Sequence, residues 1–143
     1  MLTYKSGKYL IFASGSIIAV GFLSTARARE GLEYFFPNNT IDCLRVANMV
    51  ASGQIFIRNF SELCKFKDII WDPEIFPAAY WYFQKKCISI YPSGKIIISG
   101  AQHQRELSDV YHRFKRYIRQ QQRNADIIKR HVSQLAQSLS NKN

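Results

Sequence analysis

Leu10–Gly21, LIFASGSIIAVG, and Ser89–Gly100, SIYPSGKIIISG, agree at six of twelve positions across an offset of 79 residues. An internal duplication constrains the fold more tightly than composition does, because both copies must satisfy one structural template. Each copy reads as strand, Ser-Gly turn, strand, glycine, and each leads into a helical pattern. After the first, Ser24 is placed to cap a helix running to Phe36, with Ala28, Leu32, Phe35 and Phe36 on one face. After the second, Leu107, Val110, Tyr111, Phe114 and Ile118 form an apolar stripe, with Arg113, Lys115, Arg116, Arg119 and Arg123 mostly off it. The repeat unit is therefore strands followed by a helix.

The stretch Asp72–Gly100 extends the second copy upstream. Pro73 and Pro77 bracket Ile75-Phe76 where neither helix nor central strand runs freely, so Phe76 is expected in a loop. Strands are expected at Ala78–Phe83, Cys87–Tyr91 and Lys95–Ser99, joined as a meander. Ile41–Ile57 suits one or two strands, and Asn59–Phe66 a short helix capped by Asn59 or Ser61. Ahead of the first copy stand only Leu2–Lys5 and the turn Ser6-Gly7-Lys8, so the first repeat is expected to be partial. The fold class expected is α+β, a curved antiparallel sheet with helices on its convex face.

Strand periodicity puts Leu10, Phe12, Ile18 and Val20 on one face of the first copy, with Ile11, Ile17 and Ala19 on the other. In the second copy Cys87, Ser89, Tyr91, Lys95, Ile97 and Ser99 oppose Ile88, Ile90, Ile96 and Ile98. Apolar groups on both faces require both to be covered. Helices cover one. The other is an exposed apolar surface of the kind that binds something.

A chain of 143 residues is expected to be one domain. Its net charge of +10, of which +6 follows Gln102, favours a polyanionic partner. Cys43, Cys64 and Cys87 are too widely spaced for a disulfide framework and point to a reducing compartment. His103, His112 and His131 lack companions for a metal site, and no cofactor is expected. No phosphate loop or nucleophile–base set suggests an enzyme. Lys5 and Lys8 before apolar Tyr9–Leu23 and Ala26-Arg27-Ala28 also fit a signal peptide cleaved after Ala28, which would make a secreted basic protein. The uncharged run is shorter than the roughly 20 residues of a membrane-spanning helix, so no membrane is expected as partner.

Four ordered motifs, YLIFASG, VANMVASG, WDPEIFPA and IYPSGKIIISGA, resemble the TATA-box-binding proteins, over about Met1–Arg119. The resemblance implies a saddle of two repeats that binds the minor groove of A·T-rich double-stranded DNA, bends it by wedging in phenylalanines, and acts as a basal transcription factor. It implies that Phe76 and Tyr91 are the wedge pair of the second repeat, with Phe12 the remaining wedge of the first. Asn48 resembles a central base-contacting asparagine. Val50, Ser89, Ile97 and Ser99 match further groove-facing positions, as do Leu10, Ile18 and Val20, and Lys95 resembles a phosphate contact. Tyr91 stands where the family has Phe, Ser16 where Lys95 stands in the other copy, and Tyr82 where the family has a basic residue. The loop with Asp72, Glu74 and Ile75 resembles the stirrup that docks transcription factor IIB, and the basic C-terminal helix a surface for other transcription factors.

These readings divide the chain into a saddle over 1–119, with a partial first repeat at 1–40 and the second at 41–119, and a basic helical extension at 120–143. The location implied is the nucleus in a eukaryote, the cytoplasm in an archaeon, or the site of viral transcription. Alternatives remain at this level: an adaptor that works by protein contacts without bending DNA, Phe12 and Tyr91 as core aromatics, Phe76 as a loop staple, Asn48 serving a turn or bulge, and Lys95 as solvated surface.

Overall fold

The computed structural model describes residues 1–140. The chain divides into two compact units, Met1–Ala47 and Asn48–Asn143, rather than the one domain that its length suggests. The reason is the duplication: each copy brings its own helix and closes its own core.

In the first unit, β1 (Leu2–Tyr4), β2 (Gly7–Ile11) and β3 (Ile17–Val20) form an antiparallel sheet in that order. Helix α1 (Thr25–Phe35) follows, and the Ser24 side chain caps it by accepting the Arg27 N–H. The core is built on Tyr9, fully buried, whose hydroxyl donates to the Ala28 carbonyl at 2.7 Å while Phe22 and Phe35 pack around its ring. Apolar Tyr9–Leu23 thus goes mostly to a β-hairpin, and Ala28 is a buried helical residue, which removes the basis of the signal-peptide reading. Among the described residues no helix is long and apolar enough to cross a membrane.

In the second unit, β4 (Met49–Gln54), β5 (Ile69–Ile70), β6 (Ala79–Phe83), β7 (Lys86–Ile90) and β8 (Lys95–Ala101) make an antiparallel sheet in the order β4-β8-β7-β6-β5. A short helix α2 (Phe60–Leu63) lies between β4 and β5, and its N-terminus is capped by Asn59 as the sequence suggests. The long helix α3 (Gln104–Ser140) closes the unit. Ile88, Ile90, Ile96 and Ile98 are buried in one core cluster with Val110 and Phe114 of α3, which is the facing predicted from alternation. Trp81 sits in the same cluster against Phe114 and Tyr117. Glu106 accepts the N–H groups of Gln102 and His103 at the head of α3 and pairs with Lys86 at 3.2 Å. Those bonds hold its carboxyl below the usual range, the backbone bond from Gln102 contributing most.

Of the one or two strands expected in Ile41–Ile57 the segment yields one, β4, with none in Ile41–Ala47, and β5 is a two-residue strand with too little pattern to be read. Helix α3 runs unbroken through residues 119 and 120.

The duplication is geometric as well as chemical. Left-handed backbone recurs at the same offset: Lys5 and Gln84 at φ 52° and 55°, Gly15 and Gly94 at 85° and 84°, Gly21 and Gly100 at 79° and 89°. Both hairpin turns close with the same two bonds, Phe12 N to Ser16 O and Gly15 N to Phe12 O in one, Tyr91 N to Lys95 O and Gly94 N to Tyr91 O in the other. The helices begin at Thr25 and Gln104, again 79 apart.

Both tryptophans, Trp71 and Trp81, lie in the second unit, so tryptophan fluorescence, excited selectively over tyrosine, reports that unit alone. Phe114→Ala empties a buried aromatic site and is expected to lower stability by about 3–5 kcal/mol, seen as an earlier fluorescence midpoint in urea. Tyr9→Phe removes one buried hydrogen bond, worth about 1 kcal/mol, and should leave that midpoint in place while lowering the helical circular-dichroism transition of the first unit.

Candidate nucleic-acid interface

The face of the second sheet opposite α3 is built row by row from strand register. One row runs Ile70, Tyr80, Ser89, Ile97, Ser52, each paired with the next across β5, β6, β7, β8 and β4. The next row runs Tyr82, Cys87, Ser99, and beyond the first row Lys95 pairs with Gln54. Ser89, Ile97, Ser99 and Lys95 therefore share one face, as expected. Cys87 joins them, as its alternation with Ser89 requires, and so do Ser52, Ile70, Tyr80 and Tyr82; the last two escape the pattern because β6 is aromatic on both faces and its parity is set only by register.

Loop residues complete this surface. The Asp72 carbonyl accepts the N–H groups of Ile75 and Phe76, and the Asp72 carboxylate accepts the Glu74 N–H at 3.1 Å, which rounds the loop into a compact turn. Phe76 is thereby laid on the sheet, stacked on Tyr80 at 5.8 Å and edge-on to Tyr91 at 6.4 Å. Tyr80 stacks in turn on Tyr82 at 6.3 Å. Four aromatics form a ladder across the open face, and Phe76 keeps 39% of its surface exposed. Ile75, its neighbour, is 80% exposed.

Asn48 has a structural task. Between Met49 and Ala51 the register with β8 slips, so that Ser99 and Gly100 bulge opposite Val50. At Gly100, with φ of 89°, only glycine sits without strain. The Gly100 N–H leaves the ladder and donates to Asn48 Oδ1 at 2.8 Å. This bond commits the amide's acceptor inward and leaves its Nδ2–H donors for an outside acceptor. The bulge reading of Asn48 thus holds.

In the first unit Leu10 pairs with Ile18 and Lys8 with Val20, placing all four on the face away from α1. Phe12 sits in the turn, exposed. Lys8 was not anticipated there, although its parity with Leu10 gives it. The core-aromatic reading fails for Phe12 and is met only halfway by half-buried Tyr91.

The second open face carries no anion at neutral pH. Burial pushes the Tyr80 hydroxyl up, hydrogen bonding to Cys87 does the same for Tyr82, and burial outweighs the bonds from Tyr82 and Ser89 to hold the Cys87 thiol up as well. Apolar surface, hydroxyls and a marginal lysine present donors and shape without charge repulsion, which suits a groove lined by acceptors and flanked by phosphates.

Against known proteins, residues 43–121 match the family model of transcription factor TFIID, or TATA-binding protein, TBP. The chain belongs to this family. It is 23% identical over 124 residues to a TATA-box-binding protein of Aeropyrum pernix, covering 84% of this chain and 61% of that one. The chain thus spans less than two thirds of that relative's length. In fold it is similar to the Methanococcus jannaschii TBP, with a TM-score of 0.65 and 21% identity over 80% of this chain and 72% of the other. The α+β class and the antiparallel sheets read from the sequence are those of the family.

The three thiols offer a built-in probe, since Cys43 is exposed, Cys87 lies half-buried on the open face, and burial pushes Cys64 up to about 11. Thiolate is the reacting form. Alkylation at pH 8 is expected fastest at Cys43, slower at Cys87 and slowest at Cys64, with the Cys64 rate still climbing as pH rises toward 11. Peptide mass mapping after timed iodoacetamide quenching reads the order directly.

Proposed function

We propose that the chain is a transcription-initiation factor that lays its open sheet faces on the minor groove of A·T-rich duplex DNA and bends it. The observation that carries this reading is the aromatic ladder on a face without anions, with Phe76 presented at its edge. Apolar burial releases about 25 cal/mol per Å² and bending a site by such wedges costs of order 1–10 kcal/mol, so contact over a few hundred Å² of apolar surface is the scale on which burial offsets the deformation.

The roles follow from position. Phe76 is the wedge, backed by Tyr80 and braced by Tyr91, and Phe12, which holds in the first unit the turn position that Tyr91 holds in the second, is the wedge there. Tyr91 contributes as brace, its hydroxyl reaching for an acceptor at the rim, since driving it unpaired into a base step costs about 1–3 kcal/mol. Asn48 donates through Nδ2 to adenine N3 or thymine O2, the only acceptors that A·T pairs show there. Val50, Ser89, Ile97 and Ser99, with Leu10, Ile18 and Val20, fill the groove, and Lys95 and Lys8 meet phosphates. In the same loop, Ile75 with Asp72 and Glu74 docks a transcription factor IIB-like protein, and the basic surface of α3 other transcription factors. The exposed Ile75 tip favours a second reading in which protein docking is the main activity and bending is lost.

Energy transfer between dyes on the ends of a TATA duplex separates the two. Bending should appear at micromolar protein in low salt, weaken steeply as salt rises, and vanish in Phe76→Ala. A duplex that stays straight at tens of micromolar protein sinks the bending reading, and retained capture of the IIB-like factor, lost in Ile75→Glu, would then favour the adaptor.

Asn48→Asp tests the amide separately. A carboxylate keeps an acceptor for Gly100 and loses both donors, so thermal stability should hold while DNA affinity falls by at least about tenfold, the equivalent of 1.4 kcal/mol. Equal affinity of the variant in a fluorescence-anisotropy titration would remove Asn48 from the contact set.

A further inference from the structure

Helix α3 is 37 residues long, about 55 Å at 1.5 Å per residue, and it outruns the sheet that it covers. Its inward positions step alternately by four and three from Leu107 to Leu139 without a break, the spacing of a coiled-coil seam. The early positions are consumed by the core, where Phe114 is fully buried. Gln121 and Ala125 are half-buried, and then the same face continues into solvent as Ile128, Val132, Leu135 and Leu139, between 60% and 68% exposed. Ile127 broadens the stripe at its start.

Charge selects the occupant. From Arg119 to Ser140 there are four cations, Arg119, Arg123, Lys129 and Arg130, against the single acid Asp126. A second copy in parallel register would set Asn124 against Lys129 and His131 against Ala136, so no ion pair forms across the seam while two basic helices repel. A helix with carboxylates beside its apolar stripe gains where the second copy loses, through Lys129 and His131 at the seam's margins.

We propose that the Ile128–Leu139 stripe docks an acidic amphipathic helix of another protein, extending the seam by which α3 already packs on its own sheet. None of these residues lies on either open sheet face, so the site stands whether or not the chain bends DNA.

A labelled peptide of about three heptads with Ile at a, Leu at d and Glu at e and g is the probe, and its glutamates keep it from pairing with itself. Titrated with the full chain at low salt and followed by anisotropy, it should bind with a dissociation constant of order 10 µM and weaken as salt rises. The double variant Val132→Glu, Leu135→Glu, at positions already exposed, should weaken binding by at least about tenfold with an unchanged Trp81 unfolding midpoint. A peptide with Lys in place of Glu should not bind. The proposal is overturned by no saturable binding at about 100 µM, by equal binding of the Lys peptide, or by an unaffected double variant. Sedimentation of the chain alone as a dimer that the double variant dissolves would assign the stripe to a second copy instead.

Discussion

Everything in the second unit depends on the burial of the isoleucine face, Ile88, Ile90, Ile96 and Ile98, under Val110 and Phe114. The sheet is apolar on both sides, and only one side is given a helix. Once α3 takes the isoleucines, parity forces Tyr80, Ser89, Ile97 and Ser99 outward, and no rotamer change can bring them in. The open surface is thus the unavoidable remainder of the way the core closes. The same division governs the first unit around Tyr9, with a difference at its far end. Ile90 and Ile96 are buried, whereas their counterparts Ile11 and Ile17 are 44% and 37% exposed. In the second unit Ile55 and Ile57 pack on the core cluster, and the first unit has only the single helix α1.

The sheets, hairpins and helix starts were legible because the duplication doubles every weak signal. A Ser-Gly turn flanked by isoleucines is ambiguous once, and the same turn 79 residues on is not. Face parity along β2, β3, β7 and β8 was legible for the same reason, since each hairpin fixes the facing of both its strands. What escaped was decided by partners distant in sequence. β5 is two residues long and exists because Ile69 and Ile70 meet Trp81 and Tyr80. Tyr80 and Tyr82 were invisible as surface groups because Trp81 and Phe83 alternate with them and are equally aromatic. Only pairing with Ser89 and Cys87 separates the two sets. Asn48 was legible as an anomaly on an apolar strand, whereas its bond to Gly100 depends on a bulge that no local pattern announces.

The Asn48–Gly100 bond also fixes a side chain that the open face would otherwise leave free. An exposed asparagine samples both amide orientations, and a ligand must select one. Here the bulge removes the Gly100 N–H from the ladder, and that orphan donor needs an acceptor. Asn48 Oδ1 supplies it, which turns the amide's donors outward before any ligand arrives. The entropy of fixing that side chain is spent in folding, so it does not weigh against a base contact.

The two copies have diverged unequally by face. On the helix side Tyr9, Ile11, Ile17 and Ala19 answer Ile88, Ile90, Ile96 and Ile98, and apolar character is kept throughout. On the open side Leu10 answers Ser89, Val20 answers Ser99, Phe12 answers Tyr91 and Ser16 answers Lys95. Core packing tolerates exchange among apolar groups of fitting volume but not an unpaired hydroxyl, which explains the conservatism of the first set. No such limit applies to an open face, so its drift toward hydroxyls in one copy alone makes the two faces chemically unequal. One offers aliphatic shape, and the other adds donors beside the aromatic ladder. The two copies thus differ in the chemistry they present, even though the folds that present it share the same turns and backbone angles.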